Sequence, residues 1–168
     1  MIGEYGLIDK RNAYEASIRV PLLVWEPGTV PAGKVNPGRI RNLDFAPTFL
    51  DVVGAARPVQ FEGMSAWNLW EGKQSSADWK PGDFIYEYYL EYNFPMTPGT
   101  FAIERDQVKY IQYYGVWDTE ELYNLKTDPD EIHNLINDPD WGRKRQELRQ
   151  ALYQQLANKE GKHVIPYG

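Results

Sequence analysis

The sequence has no cysteine and only two histidines among its 168 residues. Without cysteine the chain has no disulfide bond, no thiolate metal ligand and no thiol nucleophile. The two histidines, His133 and His163, are too few for a histidine-based metal site without carboxylates, and we interpret both as structural or exposed groups.

Long apolar runs are also absent. No stretch of 18 apolar residues occurs, so we expect no membrane span. The opening residues, "MIGEYGLIDKR", lack the basic, apolar and small-residue regions of a signal peptide, and the sequence leaves the compartment open. The patterns G-x-S-x-G, G-x-G-x-x-G, H-E-x-x-H and the P-loop are missing, and no acidic pair has the spacing of a metal site, so we assign no metal ligand.

Positive charge is in deficit. Eighteen basic residues stand against 24 acidic ones, for a net charge of −6. Phosphate contacts need a basic face, so nucleic acid is not an expected partner. Aromatic residues are plentiful, with 12 Tyr and 6 Trp. They suit clefts and interfaces, and they equally suit an ordinary core with a solvated edge.

The first zone of the chain is residues 1–56. A charged opening leads to "RVPLLVW" at 19–25, which predicts a buried strand that ends at Pro27-Gly28. The stretch "NLDFAPTFLDVVG" then predicts a helix, with Asp44 as its cap and Gly54 at its end. Its apolar positions fall on one face: Leu43, Ala46, Phe49, Leu50 and Val53.

The rest of the chain predicts a linker and a small sheet. Residues 57–82 are polar and glycine-rich, and we interpret them as a connecting loop with a short helical turn near 65–70. Residues 83–168 predict antiparallel strands followed by a helix that opens at Asp138-Pro139. The strands are expected at 84–89, 100–104, 107–114 and 121–125, and the apolar stripe of the helix at Trp141, Leu148, Leu152 and Leu156.

The charged segment near the start allows two interpretations. A surface helix over residues 9–19 would place Arg11 and Glu15, and then Glu15 and Arg19, side by side at i,i+4. Alternatively, Lys10 and Arg11 form an anion site, because lysine offers a point charge and arginine a planar fork for phosphate or sulfate oxygens. The charge pattern alone leaves both open.

The stretch "GEYGLIDKRNAYEASIRVPLLVWEPG" resembles the second conserved region of the type I sulfatases, in the alkaline-phosphatase-like superfamily. "NLDFAPTFLDVVGA", "FEGMSAWNLWEG", "AIERDQVKYIQYY" and "DTEELYNLKTDPDEIHNLIND" resemble later segments, in the family's order. The stretch "YEYYLEY" is most similar to sulfatases of sulfated sugars, such as the N-acetylglucosamine-6-sulfatases.

The resemblance implies an α/β fold. Residues 1–56 would be the end of the large α/β catalytic domain, 57–82 a connecting loop, and 83–168 a small four-stranded antiparallel sheet packed by a C-terminal helix. Compartments common in the family are the periplasm, the lysosome and the extracellular space.

The resemblance also implies roles for single residues. Lys10 matches the lysine that contacts the sulfate oxygens and assists the leaving group, where a cation stabilises developing charge. Tyr5 stands where many relatives have histidine at a substrate-recognition position. Tyr88 and Tyr92 are further expected substrate contacts. Glu15 and Arg19 match positions with a structural role, Arg19 through an ion pair.

The family's remaining machinery has no match in residues 1–168. The resemblance implies a formylglycine nucleophile from a C/S-x-P-x-R motif and a Ca²⁺ ion in the complete enzyme, and neither can be assigned here. We therefore expect a chain that contributes to sulfate-ester hydrolysis on a carbohydrate but is inactive alone. It would assemble with an N-terminal half or form a homo-oligomer, because an uncovered apolar edge at 19–25 recruits partners.

A second interpretation is a non-catalytic module that binds a glycan or a protein. Tyrosine side chains stack on sugar rings, and Tyr88, Tyr89 and Tyr92 are the candidates. Glycan binding by this chain alone would distinguish this interpretation from the first.

Overall fold

A computed structural model describes residue 1 and residues 3–7, 11–93, 97–115 and 119–158. Backbone contacts divide the chain into two compact units. One comprises Met1–Val20 with Asp83–Gly168, and the other comprises Pro21–Gly82. The sequence-derived domains at 1–56, 57–82 and 83–168 have other boundaries, and their assignment stays a prediction.

The elements follow one another in a simple order. Helix α1 spans Glu15–Ile18, α2 spans Asn42–Val52, α3 spans Trp67–Trp70 and α4 spans Gly142–Asn158. The strands between α3 and α4 are β1 at Phe84–Tyr88, β2 at Gly99–Arg105, β3 at Val108–Tyr114 and β4 at Glu120–Asn124. They form one antiparallel sheet in the order β1-β2-β3-β4. The expected fold class, a four-stranded antiparallel sheet with a C-terminal helix, is confirmed.

The hairpin between β2 and β3 turns on two residues with left-handed backbone. Asp106 has φ 54° and Gln107 has φ 63°. Two consecutive positive φ angles are typical of a type I′ turn, whose twist matches that of the flanking strands. The turn pairs Arg105 with Val108 and thereby sets the register of the whole hairpin.

One face of the sheet packs on α4. The side chains of Leu148, Leu152 and Leu156, one helical turn apart, are buried against alternate residues of the strands. Asp138 caps the short turn before α4 by accepting a hydrogen bond from the Asp140 N–H. The strand residues in this core are Phe101, Ile103, Val108, Tyr110 and Leu122.

The opposite face of the sheet carries tyrosines and charges. Side chains alternate between the faces of a strand, so the odd residues of β3 and β4 and the even residues of β1 and β2 lie here. Buried Ala13 packs on this face against Ala102, Ile111 and Tyr123. The N-terminal segment therefore belongs to the same unit as the sheet.

The second unit differs from the sequence prediction in one respect. The run at 19–25 forms no strand with the described residues, and Leu23 is 94% and Trp25 86% exposed. The predicted buried strand is wrong, because a strand needs a hydrogen-bonding neighbour and a surface to cover it, which an apolar run does not supply by itself.

Helix α2 is centred on a buried aspartate. Asp44 is fully buried at the third helical position, and its carboxylate accepts hydrogen bonds from the Arg41 N–H and the Met64 N–H, both at 2.8 Å. Asp44 thus acts from within a capping box, rather than as the cap residue. Gly54, with φ 68°, follows the end of the helix as expected. The apolar face with Leu43, Phe49 and Val53 is exposed.

Candidate functional site

Residues 11–18 lie on the tyrosine-bearing face of the sheet. Ala13 is fully buried, and Tyr14 is half-buried beside it. Only Glu15–Ile18 form a helix, because the Tyr14 carbonyl accepts the first hydrogen bonds, from the Ser17 and Ile18 N–H groups. The surface-helix interpretation of residues 9–19 is therefore wrong for the described residues, and Glu15 pairs with Lys109 of β3 instead.

A carboxylate on β4 collects three tyrosine hydroxyls. Glu121 accepts hydrogen bonds from Tyr14 at 2.9 and 3.0 Å, from Tyr123 at 3.2 Å and from Tyr113 at 3.3 Å. Burial raises the pKa of Glu121, although the three hydroxyls act in the opposite direction. Burial also raises the pKa of Tyr14, so its hydroxyl remains a donor at neutral pH. The cluster fixes the ring of Tyr14 on the sheet.

A lysine on β3 holds the next residues of the segment. The Nζ of Lys109 lies 2.9 Å from the Ala13 carbonyl oxygen, 2.7 Å from Glu15 Oε1 and 2.8 Å from Glu131 Oε1. The side chains of Lys109 and Glu131 are both fully buried. Glu15 was expected to be structural, and its carboxylate lies in this network; its role in function stays a prediction.

The turn at residues 3–6 is tied to the sheet through Tyr5. Gly3, Tyr5 and Gly6 have φ angles of 124°, 57° and 69°. The Tyr5 hydroxyl donates to the Asp130 carbonyl oxygen at 2.7 Å, and its ring lies on Tyr14 with 4.9 Å between centroids. Burial, and next the charge of Glu131, raise the pKa of Tyr5. The hydroxyl of Tyr5 is therefore engaged within the protein, while its ring is partly exposed.

The end of β1 meets the cationic segment at Arg11. The Tyr88 hydroxyl donates a hydrogen bond to Glu91 Oε1 at 2.7 Å, and the Nε of Arg11 lies 3.7 Å from the same oxygen. Burial raises the pKa of Tyr88, as does Glu91, whereas Arg11 lowers it. Arg11, Tyr88 and Glu91 form a polar group that we call the Arg11 cluster. It combines a planar cation, a phenol and a carboxylate.

Other expected site residues are not part of these networks. Lys10 and His163 lie outside the described residues. Tyr92 is 98% exposed. Arg19 is exposed and its side chain forms no ion pair with a described residue, so its expected anchoring role stays a prediction. His133 is exposed, with Nδ1 3.7 Å from Asp128 Oδ1.

Within the described ranges, no three His, Asp or Glu side chains are grouped so that they could hold a metal ion. Asp128 instead accepts hydrogen bonds from the N–H groups of Ile132 and His133. Burial raises its pKa, but these bonds outweigh burial and the pKa is lowered. The carboxylate of Asp128 is thus engaged by backbone N–H groups, and the expectation that Ca²⁺ and formylglycine belong to the complete enzyme stays a prediction.

Sequence reasoning missed Lys109, Glu121 and Glu131. Each lies in a stretch that matched a strand or a turn, and its partners are distant in sequence. The alternation of β3 and β4 does place Lys109 and Glu121 opposite the α4 face, which was the one available signal. A lysine is almost never fully buried unless it is paired, so its burial on that face requires partners from another segment.

No helix among the described residues is both long and apolar enough to cross a membrane.

The family described as N-sulphoglucosamine sulphohydrolase, C-terminal, matches residues 3–160. The N-acetylglucosamine-6-O-sulfatase of Bacteroides thetaiotaomicron is 34% identical over 154 residues, which cover 90% of this chain and 27% of the relative. The choline-sulfatase of Rhizobium meliloti is 33% identical over 134 residues, which cover 77% of this chain and 23% of the relative.

A solved structure shows the same fold. It is a protein in complex with its substrate D-glucosamine-2-N,6-O-disulfate, and it is 31% identical to this chain with a TM-score of 0.83. The similarity covers 98% of this chain and 34% of the solved one. The chain thus spans between about a quarter and a third of the length of these proteins. By the match of almost its whole length, the chain belongs to the C-terminal family of the N-sulphoglucosamine sulphohydrolases, among the sulfatases.

Proposed function

We propose that this chain supplies the C-terminal part of an enzyme that hydrolyses sulfate esters of a sulfated carbohydrate. The main support is its similarity, over 98% of its length, to a structure that holds a disulfated glucosamine. The N-acetylglucosamine-6-O-sulfatase among its relatives acts on a sugar of the same class. The proposed substrate is therefore a sulfated amino sugar.

The chain's own contribution is a group of cations and phenols. Lys10 is proposed to contact the sulfate oxygens and to stabilise the charge that develops on the leaving oxygen. Arg11 follows it directly, and its planar guanidinium is suited to sulfate or to a second anionic group of the sugar. Tyr88 in the Arg11 cluster, Tyr5 and Tyr92 are the proposed contacts of the sugar ring.

The nucleophile and the metal site are proposed to come from another portion of the enzyme. A sulfatase metal neutralises the sulfate group and orients it for in-line attack. Because the described residues offer no ligand group for such an ion, we propose that the chain alone is inactive. Its proposed partner is a polypeptide portion equivalent to the part of the relatives that this chain does not match.

A graft tests the proposal. Residues 3–160 would replace the matched portion of the Bacteroides thetaiotaomicron N-acetylglucosamine-6-O-sulfatase, and release of sulfate from N-acetylglucosamine-6-sulfate would be measured. We expect activity from the graft and none from this chain alone. A folded graft without activity contradicts the proposal.

Two lysine variants sharpen the result. Lys10→Met in the graft should lower kcat at least a hundredfold, because a cation at the leaving oxygen acts mainly in the transition state. Lys126→Met removes the same charge from an exposed position and should leave kcat within twofold. If the two variants change kcat equally, Lys10 has no specific role in the reaction.

The exposed tyrosines support a second candidate, a glycan-binding module. Tyr92 is 98% and Tyr89 46% exposed, as expected for rings that stack on a sugar. Isothermal titration of this chain alone with a sulfated disaccharide decides between the two candidates. Binding that is lost in Tyr92→Ala, together with an inactive graft, would favour the module.

A further inference from the structure

The network around Lys109 uses the full donor capacity of a buried ammonium group. Lys109 Nζ carries three protons, and three acceptors lie within 2.9 Å: the Ala13 carbonyl, Glu15 Oε1 and Glu131 Oε1. The side chain is 0% exposed. Two of the three acceptors belong to residues 13–15, so Lys109 mainly binds the N-terminal segment.

Glu131 completes the contact from the other side. Its Oε2 accepts the backbone N–H of Glu15 at 2.6 Å while its Oε1 binds Lys109. Its φ of 51° is uncommon for a glutamate and persists only where the surroundings hold it. Burial raises the pKa of Glu131 against the effect of Lys109. One carboxylate thus joins the strand, the turn and the segment.

The neighbouring residue of the same turn holds the other flank of the segment. Tyr5 donates to the carbonyl oxygen of Asp130 at 2.7 Å. Tyr5 lies five positions before Lys10, and Ala13 lies three positions after it. Tyr5 and residues 13–15 are therefore bound at one place, formed by β3 and the Asp130–Glu131 turn.

Stability alone gives a weak reason for this arrangement. One cation and two carboxylates lose hydration on burial, and replacing a buried ion pair by apolar side chains often leaves a protein equally stable. What the network does supply is position, because three directed bonds define where the Ala13 carbonyl and Glu15 lie relative to β3. Placement of a charged group within a fraction of an ångström matters for catalysis far more than for folding.

We infer that Lys109 and the Asp130–Glu131 turn position residues 11–15, and with them the guanidinium of Arg11, for work on the sulfate group. Lys109 and Glu131 are positioning residues and touch no substrate. The inference rests on the proposed function. It adds that the C-terminal sheet and this turn determine where Arg11 is held.

Hydrogen exchange on this chain tests the anchoring directly. The N–H groups of Ser17, Ile18 and Arg19, bonded to the carbonyls of Tyr14 and Glu15, report on the segment. In Glu131→Gln and Lys109→Met we expect these amides to exchange at least tenfold faster, while the amides of β2 and β3 keep their protection. If the amides of Ser17, Ile18 and Arg19 exchange as slowly in both variants as in the wild-type chain, the inference is overturned.

Kinetics of the graft test the consequence. Glu131→Gln should lower kcat at least tenfold, and Tyr5→Phe should lower it at least fivefold. In both variants KM should stay within twofold of wild type, because a misplaced cation affects the transition state more than it affects substrate binding. Lys126→Met is the matched control for Lys109→Met. If Lys109→Met does not fold, the two milder variants decide. An active graft whose kcat is unchanged in both overturns the inference.

The two levels of the proposal can fail separately. A wild-type graft without activity counts against the proposed function, and the exchange measurement still decides whether Lys109 and Glu131 fix the segment. An active wild-type graft with a loosened segment and an unchanged kcat counts against the positioning role alone.

Discussion

Arg105 at the end of β2 binds Asp83, just before β1, with two parallel hydrogen bonds. Its Nε lies 2.8 Å from Asp83 Oδ1 and its Nη2 lies 2.7 Å from Oδ2. Gln155 of α4 donates to the same Oδ2 at 2.8 Å. One carboxylate therefore links two strands of the sheet with the helix that covers it.

Removing this link should destabilise the sheet unit measurably. In Arg105→Met we expect a loss of about 1–2 kcal/mol, because a forked pair of charge-assisted hydrogen bonds is stronger than an ordinary surface ion pair. The matched control is Lys73→Met, which breaks the exposed pair with Glu71 and should cost less than about 0.5 kcal/mol. Urea unfolding followed by circular dichroism measures both, and equal losses would contradict the prediction.

The elements that local pattern determines were predictable. The four strands followed from runs rich in aromatic and β-branched residues, and α4 followed from its leucines four positions apart and from Asp138-Pro139 just before it. In both cases the residues that specify the element lie within it or just before it. The confirmed fold class rests on these signals.

The features that depend on distant partners were not predictable. The run at 19–25 has the composition of a buried strand, yet nothing in its own residues says which surface covers it. Lys109 has the polarity of a surface residue, and its burial depends on Glu15 and Glu131, which lie 94 and 22 positions away. Periodicity describes one element at a time, and sites arise between elements.

The buried cluster at Glu121 predicts a defined pH dependence. Burial raises the pKa of Glu121 above its ordinary value of 4.5. Between that value and the raised one, the folded protein binds more protons than the unfolded chain, so stability falls as pH rises through this window. Glutamine does not titrate, and the Tm of Glu121→Gln relative to wild type should therefore increase from pH 4.5 to pH 7.

Glu147 provides a control of opposite sign. Hydrogen bonds from Lys144, and next from Arg105, lower the pKa of Glu147. Its contribution is present above pH 4.5 and is lost as pH falls through the lowered pKa. The Tm of Glu147→Gln relative to wild type should decrease slightly as pH rises from 3.5 to 5. A difference for Glu121→Gln that does not vary with pH would show that its charge is not desolvated.

A glycine in the second unit lies against a helix backbone. A Cβ on Gly63 would meet the Leu43 carbonyl oxygen at 1.8 Å. That carbonyl is free of a helical hydrogen bond because residue 47, four positions later, is proline and has no N–H. We expect Gly63→Ala to destabilise this unit by about 3 kcal/mol or more, since backbone rather than a side chain would have to move.

The signal of Trp79 reports this change locally. Its indole N–H donates to the Arg39 carbonyl oxygen at 2.7 Å within the same unit, and its NMR resonance should shift or broaden in Gly63→Ala. Gly142→Ala is the control, because an added Cβ there has no atom within 4 Å. That variant should be neutral or more stable by up to about 1 kcal/mol. A Gly63→Ala protein with an unchanged Trp79 signal would contradict the close approach.

The exposed apolar side chains of the second unit predict association. Leu23 and Trp25 are 94% and 86% exposed, and Phe49 of α2 and Val53, which follows α2, are exposed as well. Where such side chains lie together on one surface, a monomer rarely leaves them in water. We expect the mass of this chain in light scattering to rise with concentration above 19.5 kDa, and the double variant Leu23→Ser/Trp25→Ser to lower that rise without changing Tm.

A variant of Tyr92 distinguishes association through Leu23 and Trp25 from association through any exposed aromatic ring. Tyr92 is equally exposed but lies in the sheet unit. Tyr92→Ser should therefore leave the concentration dependence unchanged, because one aromatic side chain buries too little area to hold two molecules together. If wild type stays monomeric at every concentration, or if Tyr92→Ser weakens association as much as the double variant does, residues 23 and 25 do not form the surface through which this chain meets a partner.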